Sequence, residues 1–79
     1  MRYTKGLREA RERALLTQEE LATRSGVTVS TISRVETGAQ AARISTLRKL
    51  ATALSMDAEA LIDWERPGPE TGKAPAAAA

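Results

Sequence analysis

Apolar residues recur at helical spacing in two neighbouring segments between residues 17 and 37. Two of them lie one turn after Gln18, one falls between the segments, and two lie three residues apart in the second segment. These positions are Leu21, Ala22, Val27, Ile32 and Val35. Each segment therefore has one apolar stripe, and the pattern predicts two short amphipathic helices that pack on a common core.

Polar residues mark where these two helices begin and end. Thr17 followed by Glu20 fits a capping box, in which the hydroxyl accepts from the third helical amide and the carboxylate reaches back. Gly26 can adopt the left-handed conformation that ends the first helix, and Thr28 can cap the second. Ala22 is small enough for the two helices to cross closely. This arrangement is a helix-turn-helix, whose second helix usually enters the DNA major groove.

Three further helices complete the prediction of an all-α, compact five-helix bundle. The five predicted helices cover residues 5–14, 18–24, 29–37, 44–54 and 57–63. The first has Leu7, Ala10 and Ala14 on one face, and the fourth has a stripe of Leu47, Leu50, Ala51 and Leu54. Asp57 is expected to cap the fifth helix, which would bury Leu61, with Ile62 as a further candidate for burial. Residues 1–5 are expected to be a loose lead-in, with Thr4 as a candidate cap.

Composition predicts one small domain over residues 1–65 and a disordered tail over residues 66–79. The chain has 79 residues, 42% of them hydrophobic, so it can bury only one modest core. The last residues are rich in Pro, Gly and Ala without periodicity. Cysteine is absent, and no secretory segment or long apolar run occurs. We therefore expect a cytoplasmic protein with no membrane association.

Charge is distributed unevenly along the chain. Residues 1–49 contain ten Lys or Arg and five Glu, a net charge of +5, whereas residues 50–79 carry a net charge of −3. Such asymmetry favours a polyanionic partner on one side, although chance clustering on a solvated surface would give the same count. Histidine and cysteine are both absent, and no phosphate loop or carboxylate pair occurs. The sequence therefore predicts no enzyme activity, no cofactor and no metal site.

Residues 7–62 resemble the lambda-repressor-like (Xre/Cro) helix-turn-helix family of transcriptional regulators. The stretch LREARERALLTQEELATRSGVTVSTISRVETG carries the resemblance, supported by TLRKLATAL and DAEALI. The resemblance implies a five-helix domain that binds double-stranded operator DNA, typically as a two-fold dimer. It suggests a small repressor or controller protein acting on a pseudo-palindromic operator. The alternative is a protein-interaction module on the same fold, such as an antitoxin with a protein partner.

The resemblance also implies roles for particular side chains. Arg11 falls on the apolar side of the first helix, where a charge needs a partner. Family members commonly pair an Arg there with a Glu near the end of the third helix, here Glu36, so we expect an Arg11–Glu36 salt bridge in preference to a DNA contact by Arg11. They use the residue matching Gln18 to brace the DNA backbone, although it could also be a surface residue without a partner.

Base-reading candidates lie on the polar face of the third helix. Arg34 can donate two hydrogen bonds to guanine, Val29 can meet a thymine methyl group, and Ser30 discriminates weakly. For Arg34, an intramolecular salt bridge or a phosphate contact stays open. The expected phosphate contacts, which position the protein without specifying sequence, are Gln18, Thr28, Thr31, Ser33, Thr37, Gln40 and Arg43. Thr31 and Ser33 could equally be ordinary polar surface.

Several positions depart from the family pattern. Leu15 and Ser55 stand where Gly is frequent, so Leu15 is expected either to accept strain or to alter the end of the first helix. Ala42 and Arg43 replace the usual Pro-Ser before the fourth helix, which removes its standard cap and should loosen the preceding loop. The candidate dimer contacts are Met56, Ile62 and Trp64, unless Trp64 folds back over its own core.

Overall fold

The computed structural model describes residues 1–66. Within this range the chain forms four α-helices followed by one short 3₁₀ turn. These elements are α1 (Leu7–Arg13), α2 (Gln18–Ser25), α3 (Val29–Thr37), α4 (Ile44–Ala53) and the 3₁₀ turn (Ala58–Leu61). The predicted tail lies outside the described residues, apart from Arg66. No helix of the described range is long and apolar enough to cross a bilayer.

The prediction of a fifth α-helix is wrong. Ala60 N donates to Asp57 O and Ile62 N donates to Glu59 O, which is the three-residue bonding of a 3₁₀ turn. The Asp57 side chain makes no capping hydrogen bond, so its expected role as a cap is also wrong. The segment is one turn long, and the chain becomes extended at Ile62 before four-residue bonding can begin.

The amino-terminal residues are paired with the rest of the fold, which corrects the expectation of a loose lead-in. Arg2 and Ala42 exchange two backbone hydrogen bonds of 2.8 Å, and Lys5 N donates to Leu61 O. Thr4 does not cap α1, because its hydroxyl donates to Val35 O at 3.1 Å. Gly6, with φ +78°, precedes α1 instead.

The core is aliphatic and draws on every element. The five leucines and one isoleucine that are fully buried belong to the helices and the 3₁₀ turn: Leu7, Leu21, Ile32, Leu47, Leu50 and Leu61. Ala14 is exposed because α1 ends at Arg13, one residue before the predicted limit. Ile62 is only 9% exposed and belongs to this core. The helices therefore share one interior, and α3 contributes Ile32 and Val35 to it.

Two residues adopt the left-handed conformation at positions where the family pattern has Gly. Leu15 has φ +60° and Ser55 has φ +57°. Leu15 is also 88% exposed, so burial of its side chain does not offset the energetic cost of this backbone conformation. Arg43 precedes α4 without a side-chain capping bond, in agreement with the missing Pro-Ser.

Candidate nucleic-acid interface

Both helices of the helix-turn-helix begin at a side-chain cap, and a left-handed glycine ends the first of them. Thr17 Oγ1 accepts from Glu20 N at 3.0 Å while Glu20 Oε1 accepts from Thr17 N at 2.8 Å, so the predicted capping box is present. Gly26 has φ +77° and ends α2. Thr28 Oγ1 accepts from Thr31 N at 3.2 Å and caps α3. These contacts fix where the two helices begin, and Gly26 fixes where α2 ends.

α3 has one exposed face and one fully buried face. Ile32 and Val35 have no exposed surface, whereas Val29, Ser30 and Arg34 are exposed. The Arg34 guanidinium makes no hydrogen bond or ion pair with any other residue in the range 1–66. The intramolecular salt bridge considered for Arg34 is therefore not formed. Its five donors are directed to solvent and remain available to a base edge or a phosphate.

A buried charged pair connects α1 to α3. Arg11 Nε donates to Glu36 Oε2 at 2.6 Å, and a second guanidinium nitrogen lies 3.3 Å from Glu36 Oε1. The side chains are 10% and 3% exposed, respectively. Arg11 Nη1 also donates to Leu16 O at 2.8 Å and so holds the turn that leads into α2. The hydrogen bond and the negative charge of Glu36 raise the pKa of Arg11 against the opposing effect of burial.

Gln18 belongs to the same network. Its side-chain nitrogen donates to Glu36 Oε1 at 3.0 Å, which joins the first residue of α2 to the last turn of α3. The resemblance implied the Arg11–Glu36 pair but not this third member. Helical periodicity could not have revealed it, because the two residues lie eighteen positions apart on different helices.

A model of the helix-turn-helix family matches residues 7–61, which include every helix described above. The chain belongs to this family. The match supports the lambda-repressor-like (Xre) identity and DNA binding in transcription regulation. Searches against curated proteins and against solved structures found no match.

Four hydroxyl side chains that are candidate phosphate contacts belong to α3 or to its cap. Thr28 Oγ1 donates to Thr31 Oγ1 at 3.0 Å, and Thr37 Oγ1 donates to Arg34 O at 3.1 Å. Thr28 and Thr37 are exposed, and Thr31 and Ser33 are half-buried. Thr28 and Thr37 use their single hydroxyl hydrogen in these bonds and can only accept a further one, whereas Thr31 and Ser33 can still donate.

The loop after α3 is anchored by its own backbone. Ala39 N and Gln40 N both donate to Arg34 O, and Ala42 pairs with Arg2. Gln40 is half-buried and Arg43 is exposed. The loop that was expected to be loosened therefore has fixed contacts on both sides of Gln40.

The candidate dimer residues differ in exposure. Trp64 is 62% exposed and does not cover the core, although its Nε1 donates to Glu59 O at 3.3 Å and Arg2 lies 4.9 Å from its ring centroid. Met56 is half-buried against the core. Two interpretations were open for Ile62, burial in the core or an apolar contact with a second copy, and the structure buries it within its own chain. Within residues 1–66, no three His, Cys, Asp or Glu side chains are grouped so as to hold a metal ion.

Proposed function

We propose that this chain is a sequence-specific regulator of transcription that binds a pseudo-palindromic operator in double-stranded DNA as a dimer. The observation that carries the proposal is the exposed, unpaired Arg34 on the outer face of α3 in a helix-turn-helix domain. A guanidinium without an internal partner loses no intramolecular bond when it meets a base. The second helix of this motif is the element that enters the major groove.

Base reading is assigned to three side chains of α3. Arg34 donates two parallel hydrogen bonds to O6 and N7 of one guanine, which no other base accepts in the same geometry. Val29 lies at the start of α3 and cannot form hydrogen bonds, so it packs against a thymine methyl group. Ser30 can donate or accept, and it therefore adds little discrimination.

Phosphate contacts position α3 in the groove. Gln18 uses one of its two amide hydrogens for Glu36, and the other is left for a phosphate oxygen. It stands at the amino terminus of α2, where free backbone amides also favour an anion. The remaining phosphate contacts are assigned to Thr31, Ser33, Gln40 and Arg43, and to Thr28 and Thr37, whose hydroxyls must exchange their bonds to Thr31 Oγ1 and Arg34 O for one to a phosphate oxygen. These contacts increase affinity for all sequences alike.

Dimerisation is assigned to the surface around Trp64 and Met56. An exposed indole is a large apolar group that gains from burial against a second copy. Two copies related by a two-fold axis would read half-sites about one helical turn apart, ~34 Å. Bound at a promoter, such a dimer acts as a small repressor by blocking polymerase.

The test begins with selection of bound sequences from random duplexes, followed by single base-pair changes in the selected site. Arg34→Ala should weaken binding to that site by about 1–3 kcal/mol and abolish the preference at one base pair in each half-site. Gln18→Ala should weaken binding to every sequence by a similar factor. Arg8→Ala removes the same charge from the exposed side of α1 and serves as the control. If Arg34→Ala weakened all sequences equally, Arg34 would be a phosphate contact and the base-reading assignment would be wrong.

The dimer is tested by light scattering at micromolar concentration and above. The wild-type chain should have the mass of two copies, and Trp64→Ala should shift the mass towards one copy. A wild-type mass of one chain throughout would contradict dimerisation in solution.

A further inference from the structure

A cluster of positively charged side chains lies between the end of α2 and the exposed side of α4, away from Arg34. It is an open cleft of about 590 Å³, hereafter the basic cleft. Its lining residues are Arg24 and Ser25 of α2, Arg48, Lys49, Thr52 and Ala53 of α4, and Ser55. Three of the seven are cations, and none is acidic.

The three cations of the basic cleft have no partners within the described part of the chain. Arg24, Arg48 and Lys49 make no ion pair or side-chain hydrogen bond with any residue of the range 1–66. Like charges that lie close together on one shallow surface repel each other and produce a local positive potential. An anion bound between them would relieve that repulsion and satisfy their donors.

Hydroxyl groups in the basic cleft add neutral donors. Ser25 Oγ accepts from Val27 N at 3.2 Å, which leaves its own hydrogen free to donate. Thr52 and Ser55 contribute two further hydroxyls. Ala53 is the one aliphatic residue of the lining, and no aromatic ring is present among these residues, although the hydrocarbon stems of the cations also contribute apolar surface. The basic cleft therefore offers cations and hydroxyls to a charged group and has no aromatic ring on which a base could stack.

The charge count favours a phosphate over a carboxylate. A phosphate monoester carries about −1.5 to −2 charges at neutral pH and three acceptor oxygens. Two guanidinium groups, an ammonium group and hydroxyls match that demand, whereas a single carboxylate would leave two cations unpaired.

The basic cleft is separate from the helix end that is proposed to contact operator DNA. Gln18 begins α2 and Arg24 lies six positions later, about 9 Å further along the helix axis. Along α4, Arg43 precedes the first residue, and Arg48 lies more than one turn beyond it. The proposed phosphate contacts do not include any residue of the basic cleft.

We propose that the basic cleft is a second anion site, which binds phosphate esters independently of operator recognition. The phosphate belongs either to a soluble phosphorylated compound or to the backbone of a second nucleic-acid duplex. Both sources present the same chemistry to Arg24, Arg48 and Lys49, and the experiment below separates them.

The first experiment titrates the full chain with inorganic pyrophosphate at constant ionic strength and follows its backbone amides by NMR. The expected result is a saturable shift centred on Ser25, Thr52 and Ser55. The double variant Arg48→Ala/Lys49→Ala should bind at least about tenfold more weakly, because hydrogen bonds to charged groups are lost. The matched control Arg8→Ala/Arg13→Ala removes the same charge from α1 and should leave the affinity unchanged. Absence of saturation, or equal weakening in both variants, would overturn the proposal.

The second experiment identifies the source of the phosphate. Protein saturated with one duplex is mixed with a labelled second duplex, and co-sedimentation of the two duplexes is measured. Co-sedimentation that is lost in Arg48→Ala/Lys49→Ala and kept in the α1 control supports a nucleic-acid source. Pyrophosphate binding without co-sedimentation supports a soluble phosphorylated ligand. The pyrophosphate titration needs no DNA and should be unchanged in Arg34→Ala, so it can fail or succeed separately from the proposed operator binding.

Discussion

Replacement of Glu36 by Ala would leave the Arg11 guanidinium without its carboxylate in a nearly closed site. The variant loses the contacts of 2.6 and 3.3 Å to Arg11 and the contact of 3.0 Å to the Gln18 side chain. Arg11 retains only its bond to Leu16 O. Because the Arg11 side chain is only 10% exposed, its guanidinium would stay largely shielded from water.

The size of the effect follows from this burial. Removing one member of a buried ion pair costs about 3–5 kcal/mol, since the other charge stays desolvated and unpaired. We expect the lower end, about 3 kcal/mol, because Arg11 lies at the edge of the core and keeps one hydrogen bond. For a domain of this size, each kcal/mol lowers Tm by about 4–8 °C, so Tm should fall by about 12–24 °C.

The assay is thermal unfolding followed by circular dichroism, with Glu12→Ala as the matched control. Glu12 pairs with Arg8 at 3.2 Å, but those side chains are 55% and 67% exposed. An exposed pair four residues apart contributes at most about 0.5 kcal/mol, so the control should melt close to wild type. If Glu36→Ala melted within a degree of Glu12→Ala, the burial argument would be refuted.

Further predictions concern the pH dependence of this pair and the local geometry of the helix ends. Glu36 raises the pKa of Arg11, so the stabilisation by the Arg11–Glu36 pair is lost on the alkaline side only in strong alkali. The difference in unfolding free energy between wild type and Glu36→Ala should therefore stay constant from neutral pH to about pH 9, as measured by urea titration. Leu15→Gly should raise the unfolding free energy by about 0.5 kcal/mol, because relief of left-handed strain exceeds the added chain entropy. A loss of stability in that variant would show that Leu15 is not strained. Thr17→Ala should cost about 1 kcal/mol through loss of the capping box, whereas Asp57→Ala, with no capping bond to lose, should change the urea midpoint little. Equal effects of these two would contradict the cap assignments.

The helix bounds around the central turn could be predicted because the sequence marks both ends of each helix. α3 has the predicted bounds, with Thr28 before it and the left-handed Gly38 after it. α2 extends one residue beyond the prediction, to Ser25, and the left-handed Gly26 follows it as the cap. A cap and a glycine act within one turn of chain, so a short stretch of sequence contains the whole signal.

The features that were missed depend on contacts between distant residues. Arg2 pairs with Ala42 and Thr4 with Ile62 through isolated backbone bridges, which leave no periodic pattern of side chains. The sequence alone therefore left Ile62 as either a core residue or a dimer contact, and the structure buries it. The Gln18–Glu36 bond likewise depends on how α2 and α3 pack against each other, and helix propensities of the residues do not predict that packing.

The central claim is that this domain binds duplex DNA through the exposed face of α3 and the phosphate contacts around it, and the salt dependence of binding tests it most directly. Fluorescence anisotropy with a selected duplex at a series of salt concentrations gives the logarithm of the association constant as a function of the logarithm of the salt concentration. The account predicts a straight line that falls by about 0.9 for each phosphate neutralised, with a smaller slope when Arg43 is replaced by Ala. No binding even in dilute buffer, or an affinity independent of salt, would contradict the account.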